Sequence, residues 1–251
     1  GHNFAGNCNS WSLANLDGIA RLVSRLRFVG HQFPFMLRSL RQSGGRVPLD
    51  ITEFSFDEIK AAADEAKRWN TYLAVHTYND AATQRSLEAG AMSIEHGNLL
   101  TESTIKIIKE KGAFLSTQTG LFLEEAPADW SEDQKAKQKA AKDGLTTMFT
   151  LAKKYNVKIA LGTDLVGSKE SKQTQAKELS NRLPWFTPAE ILKQATANNA
   201  ELMSWSGPRN PYPGKLGVIE EGAYADLLLI NGDPLKDISI LTKPEENLAL
   251  I

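Results

Sequence analysis

The sequence predicts an α/β fold built from parallel βα units, and three observations carry that prediction. Residues 71–97 (TYLAVHTYNDAATQRSLEAGAMSIEHG) hold two short apolar runs, Leu73, Ala74 and Val75, then Met92, Ser93 and Ile94, closed by His76 and His96. The text between them is helical and polar on one side. The alternation returns at residues 113–117 (AFLST) and 157–161 (VKIAL), the second followed by Gly162, Thr163 and Asp164. In such architecture the carboxyl ends of successive strands converge on one face, so polar residues there share a site.

Taken in order, Leu16, Ile19, Leu22, Val23 and Leu26 recur at helical spacing with Arg21, Arg25 and Arg27 among them, which predicts one amphipathic helix that the text GHQFPFML stops. His2 and His31 have no partner at ligand spacing and read as structural. Ser55 and Glu58 form a capping box, and the helix after it turns Phe56, Ile59, Ala62, Ala63 and Ala66 toward the core. Asn79 or Asp80 caps a helix that Gly90 closes, and Thr101 opens another, carrying Ile105, Ile107 and Ile108, that stops at Gly112. The excursion TGLFLEEAPADW follows a strand's carboxyl end, where barrels place substrate loops. Ser131 and Gln134 start a long helix to about Tyr155. Residues 169–182 are polar and begin in a loop over the site, with Gln175 and Glu178 one turn apart on a solvated face or at the mouth. Thr187 and Glu190 combine a capping box with Pro188 at the first helical position, so ILKQATANNAELM is a helix. The tail gives two short β runs in GVIEEGAYADLLLINGDPL, either side of Glu221 and Gly222, and ends in the apolar run LALI.

The 251 residues carry 29 Lys and Arg against 30 Asp and Glu, a formal net charge of −1, and the charges are interspersed rather than blocked. That argues against a nucleic-acid footprint or an anionic membrane surface and for a small-molecule partner. A single cysteine, Cys8, excludes an internal disulfide and a multi-cysteine zinc site. No apolar run approaches the ~20 residues that span a bilayer.

His76, His96 and Asp164 supply the mixture of imidazole nitrogen and carboxylate oxygen that suits a divalent ion such as zinc. Each has a plainer reading. A strand-end histidine is commonly a hydrogen-bonded structural residue, and an aspartate after Gly-Thr is commonly a helix cap. Three such residues at equivalent positions of successive units favour the shared site.

From about residue 43 onward the chain resembles the metal-dependent amidohydrolase superfamily, most closely its prolidase-like and imidazolonepropionase-like branch. The matching text is AVHTYND, SIEHGNLL, IALGTDLVG, FTPAEILKQATANNAELM and KLGVIEEGAYADLLLINGDPL, in the right order over about four-fifths of the chain. The resemblance implies the carboxyl-terminal half of an incomplete (β/α)8 TIM-type barrel plus part of a small β-sandwich. Residues 1–42 match poorly, 43–206 form the half-barrel and 207–251 the partial sandwich. His76 then ends strand five, His96 strand six and Asp164 strand eight, with AFLST as strand seven.

The same resemblance implies a metal-dependent hydrolase of amide or peptide-like C–N bonds, with a dipeptide or other amidated carboxylate as substrate. His76 and His96 would hold a divalent metal, zinc in the first instance, with one or two ions in a complete enzyme. Asp164 would be both ligand and proton carrier, Tyr78 would touch the substrate or pack as a rim aromatic, and Glu95 would orient a neighbouring side chain. Alternatives are a catalytically silent fragment and a cyclic-amide hydrolase or deaminase. Two departures bear on the choice. The sequence holds no His-x-His pair, which the family carries on its first strand, and Ser39, flanked by Arg38 and Arg41, stands where a bridging lysine is common. A missing amino-terminal half is the expectation that follows, with the open strand edges driving self-association. Compartment is left open.

Overall fold

The computed structural model describes residues 35–37, 49–52, 54–165, 174–212 and 214–250. The amphipathic helix expected near residues 16–26 lies outside them, as do His2, Cys8, His31, Arg38, Ser39 and Arg41.

The chain is α/β. Five strands, β1 (Phe35–Leu37), β2 (Leu73–Thr77), β3 (Ala91–His96), β4 (Phe114–Thr117) and β5 (Lys158–Leu161), form one parallel sheet in sequential order. Between them run α1 (Phe56–Arg68), α2 (Asp80–Ala89), α3 (Glu102–Lys111), the short α4 (Gly120–Leu123) and the long α5 (Glu132–Lys154). Leu73, Val75, Ile94, Leu115 and Ile159 of the sheet pack against Ile59, Leu87, Ile105, Ile108, Leu145 and Met148 of those helices in one core. Strands in chain order with their crossover helices on one face make the wall of a barrel rather than a doubly wound sheet, whose order reverses.

The start signals read from the sequence act as expected. Ser55 with Glu58, and Ser131 with Gln134, close reciprocal capping boxes, and the Asn79 side chain accepts from the Ala82 amide. Gly90 and Gly112 end their helices in the left-handed conformation. The predicted core face of α1 holds at Ile59, Ala62 and Ala66, but Phe56 is 42% exposed. As the first helical residue it lies beyond the stripe that the sheet covers.

After β5 come α6 (Lys177–Asn181) and α7 (Pro188–Lys193), whose capping box is Thr187 with Glu190. The helix does not then run on uniformly. A π-helical turn at Gln194–Asn198 separates α7 from α8 (Asn199–Ser204). The turn brings two asparagines to the outer edge of β5. Asn199 Oδ1 accepts from the Leu161 amide at 2.9 Å, Asn199 Nδ2 donates to the Leu161 carbonyl at 2.9 Å and Asn198 Nδ2 to the Ile159 carbonyl at 2.8 Å. Leu202, with Trp205 beside it, packs on the face of the sheet opposite the helices, against Tyr72, Ala74, Phe114 and Ala160.

The tail differs from its prediction. GVIEE forms no strand, and only an isolated bridge joins Lys215 to Ala223. The small antiparallel sheet is instead β6 (Leu229–Ile230) with β7 (Leu248–Leu250), the closing LALI run, preceded by α9 (Pro244–Asn247). Two-residue pairing leaves the first β run without a ladder to join.

Candidate active site

Side chains on adjacent parallel strands in register share a face. His76 pairs with Glu95, Glu95 with Ser116 and Ser116 with Ala160, so these four form one layer on the concave side. Alternation along β3 would send the next residue, His96, toward the helices. It does not go there, because the backbone turns left-handed at His96 (φ 74°) and Gly97 (φ 68°). The His96 Nε2 thereby comes to 2.6 Å from the His76 Nδ1, one imidazole donating to the other.

Glycine is required after His96, since a Cβ at Gly97 would meet Leu115 Cδ1 at 2.8 Å and Leu100 Cδ1 at 3.0 Å. The loop is pinned on both sides. Thr117 Oγ1 donates to the His96 carbonyl at 2.5 Å, the Gly97 amide to the Thr77 carbonyl at 2.9 Å, and the Asn98 carboxamide to the Ala141 carbonyl of α5 at 3.0 Å. Tyr78 stacks on His96, with ring centroids 4.9 Å apart and planes 11° from parallel, and meets His76 edge-on. Phe122 of α4 closes over both Tyr78 and His96.

Four non-glycine residues described have positive φ: Asn70, His96, Asn156 and Asp164. The asparagines follow helix ends, where this residue tolerates the conformation. Aspartate shares that tolerance, so Asp164 needs no special account, whereas His96 bends left-handed away from any helix end, and backbone of this kind clusters at functional sites.

Glu95 lies between them in character. Burial pushes its carboxyl above the ordinary range, hydrogen bonds from Ser116 and Ser93 (2.6 Å from the Ser93 hydroxyl) pull it down, and the Asp164 charge pushes it up again. Burial, and then the Glu95 charge, raise the Tyr72 phenol.

The structure thus gathers His76, His96 and Tyr78 into one cluster beside Glu95, while Asp164 is exposed and within electrostatic reach of Glu95. The facing nitrogens suit a borderline divalent ion. Two nitrogens on one tetrahedral zinc stand roughly 3.3 Å apart, so the imidazoles need part by less than about 1 Å. Among the described residues no group of three His, Cys, Asp or Glu side chains is placed to hold an ion.

Sequence reasoning missed the support behind this cluster. Glu178 is not solvated: it is 3% exposed, and its carboxylate accepts from the Thr119 amide at 2.9 Å and the Gly120 amide at 2.9 Å. Arg182, fully buried, donates to Glu178 at 2.9 Å, to Gln194 Oε1 at 2.7 Å and to the Thr117 carbonyl. The i, i+4 spacing of Glu178 and Arg182 was the available signal, but it reads equally as a surface pair.

The sequence profile of the amidohydrolase family matches residues 48–250. Ochratoxinase of Aspergillus niger is 32% identical over 212 residues, covering 81% of this chain and 42% of that protein. The crystal structure of A. niger ochratoxinase superposes with a TM-score of 0.79 at 25% identity, over 93% of this chain and 52% of that one. A prolidase crystallised with N-methylphosphonate-L-proline gives a TM-score of 0.72 at 32% identity, over 80% of this chain and 48% of that one. The chain therefore spans about half the length of the relatives it matches.

Proposed function

The chain belongs to the amidohydrolase family, and from that premise we propose that it supplies part of the active site of a metal-dependent hydrolase of amide or peptide-like C–N bonds. The observation that carries the reading is the pair of imidazoles at the carboxyl ends of adjacent parallel strands, nitrogens 2.6 Å apart. His76 Nδ1 and His96 Nε2 would hold a divalent ion, zinc being the first candidate, and the Asp164 carboxylate would complete the set from this chain. When bound, such an ion supplies Lewis acidity, acidifying water and polarising a scissile carbonyl.

The chain's own residues do the rest. Asp164 takes a proton from the attacking water and delivers it to the leaving nitrogen, which must depart protonated. Tyr78, held flat on His96 and closed in by Phe122, presents its ring to the substrate. Glu95 lies in the layer beside His76 and orients the polar groups of that layer through Ser93 and Ser116. A dipeptide or amidated carboxylate is the substrate class, supported by the prolidase likeness.

A catalytically silent member of the family is the competing reading, since among the described residues no three His, Cys, Asp or Glu side chains are grouped to hold an ion. Metal analysis decides between them. We expect the purified chain, dialysed against zinc, to retain the ion, and His76→Ala or His96→Ala to lower its affinity by 10-fold or more, roughly the loss of one ligand. Zinc content unchanged by both substitutions would overturn the proposal. Within a metal-binding outcome, assaying dipeptides against cyclic ureides separates peptide-like substrates from those of a cyclic-amide hydrolase or deaminase.

A further inference from the structure

Glu178 and Arg182 form an ion pair shut off from water, their side chains 2% and 0% exposed. Taking two charges out of water is offset only when their other donors and acceptors are bonded too, and apolar side chains of like volume often hold a fold as well. What such a pair supplies beyond apolar packing is direction, since each bond fixes the place of one neighbour. Here the neighbours come from the end of β4, the start of α4 and the π turn. Arg182 Nε donates to Glu178 Oε1 at 2.9 Å, Nη1 to Gln194 Oε1 at 2.7 Å and Nη2 to the Thr117 carbonyl. The Glu178 carboxylate accepts in turn from the Thr119 and Gly120 amides, each at 2.9 Å.

Those neighbours lead to the histidine cluster by two routes. Thr117 Oγ1 donates to the His96 carbonyl at 2.5 Å, so the residue that Arg182 grips by its carbonyl is also the one that grips the left-handed bend. Thr119 is the N-cap of α4, and its carbonyl accepts from the Phe122 amide at 3.0 Å. Phe122 lies edge-on to both His96 and Tyr78, ring centroids 6.4 Å away in each case. The backbone of His96 is thus held from one end of the ion pair and its ring is walled from the other. Strand alternation by itself would turn that ring away from His76.

We propose that Glu178 and Arg182 are positioning residues for the ion site: by fixing residues 117–120 they hold the His96 imidazole against His76, ready to share an ion. This rests on the metal-dependent hydrolase reading and adds to it a device outside the ligand set. Neither residue touches the ion, and both act through Thr117 and Phe122. A site whose ligands are already placed binds without first ordering them, and removing the partners behind metal ligands typically changes affinity by about 10- to 100-fold.

Two measurements on the full chain test this: zinc affinity by competition with a chromogenic chelator, and the imidazole N–H region of the NMR spectrum without metal. The wild type should show a downfield, slowly exchanging proton between His76 Nδ1 and His96 Nε2. Arg182→Met with Glu178→Gln removes both charges together, so neither is left buried alone, and glutamine keeps an oxygen for the Thr119 and Gly120 amides. This pair variant should bind zinc about 10-fold more weakly and lose the downfield proton while its circular dichroism stays native. Thr117→Val, which leaves the ion pair in place, should do the same. Combining all three substitutions should weaken binding no further than the pair variant does, because both changes reach His96 through Thr117. Losses that add up, or wild-type affinity in either parent variant, overturn the positioning role and leave the hydrolase reading standing. Should the pair variant fail to fold, wild-type affinity in Thr117→Val alone overturns it. A wild type that binds no zinc overturns both.

Discussion

At the scale of single residues, the site depends on how closely backbone segments approach each other. The loop after His96 lies against α5 at Gly144, where an added Cβ would stand 2.1 Å from the Asn98 carbonyl oxygen and 3.2 Å from Leu99 Cδ2. In an open helix, glycine to alanine gains about 1 kcal/mol from propensity. Here the obstacle is a carbonyl fixed by neighbours that hold the same loop, namely the Thr77 carbonyl and the Ala141 carbonyl. Overpacking of that sort costs about 1–3 kcal/mol and outweighs the propensity gain. Gly144→Ala is therefore expected to lower unfolding stability by up to about 2 kcal/mol, read from the urea midpoint, and to weaken zinc retention because the loop carries His96. A stabilised variant would show that the loop moves freely. His96 teaches the same lesson about local text: its identity was legible, but the left-handed turn that aims it at His76 depends on Gly97 fitting between Leu100 and Leu115.

At the scale of elements, α3 shows how a helix end is anchored. Glu102 is its first residue, where a carboxylate complements the helix dipole. It accepts from the Tyr155 hydroxyl, from Lys154 at 3.2 Å and pairs with Lys106 at 3.3 Å, and these hold its carboxyl down at about 2 against an ordinary 4.5. A folded-state pKa below the unfolded one means the contribution is fully present above the ordinary value and is lost as pH falls through the depressed one. Glu102→Gln should thus be less stable than the wild type by a constant margin from pH ~7 to ~5, with the margin shrinking toward pH ~2. A margin independent of pH would assign the effect to packing. The pair is exposed, so added salt should also narrow it.

Most such elements were readable because their signals are local: Ser55 with Glu58, Ser131 with Gln134 and Thr187 with Glu190 each need only the next turn of chain. The π turn at Gln194–Asn198 and the burial of Glu178 were not readable, since both answer to partners on β4 and β5 distant in sequence. The β6 pairing failed for a like reason: its partner is the last run of the chain rather than its neighbour in sequence.

At the scale of the whole molecule, an arc of parallel strands carries a liability that a closed barrel lacks, a row of backbone groups open to pairing with another chain. Sequence reasoning expected bare edges. The edge of β5 is covered, because consecutive asparagines, Asn198 closing the π turn and Asn199 opening α8, bond the two residues, Ile159 and Leu161, whose polar groups face away from β4. Carboxamides reproduce the donor and acceptor of a neighbouring strand without its length, so they satisfy the edge but give a second chain nothing to extend. Apolar surface remains elsewhere, at Ile219 and at Leu227, Leu228, Leu229, Leu235 and Leu250 around β6 and β7. If the asparagines guard the edge, replacing both with alanine strands three backbone groups, at about 1–3 kcal/mol each if buried, and opens β5 to strand addition. Asn198→Ala/Asn199→Ala should then shift the wild-type elution profile toward larger species on gel filtration with light scattering. The shift should grow with concentration and be accompanied by added β signal in the amide I infrared band. Substituting two of the exposed leucines, Leu227→Lys and Leu250→Lys, is the contrasting variant: it should reduce whatever association the wild type shows while leaving the β5 edge covered. An unchanged elution profile for the double alanine variant, with its fold intact by circular dichroism, would mean that the asparagines hold the π turn in place without protecting the strand.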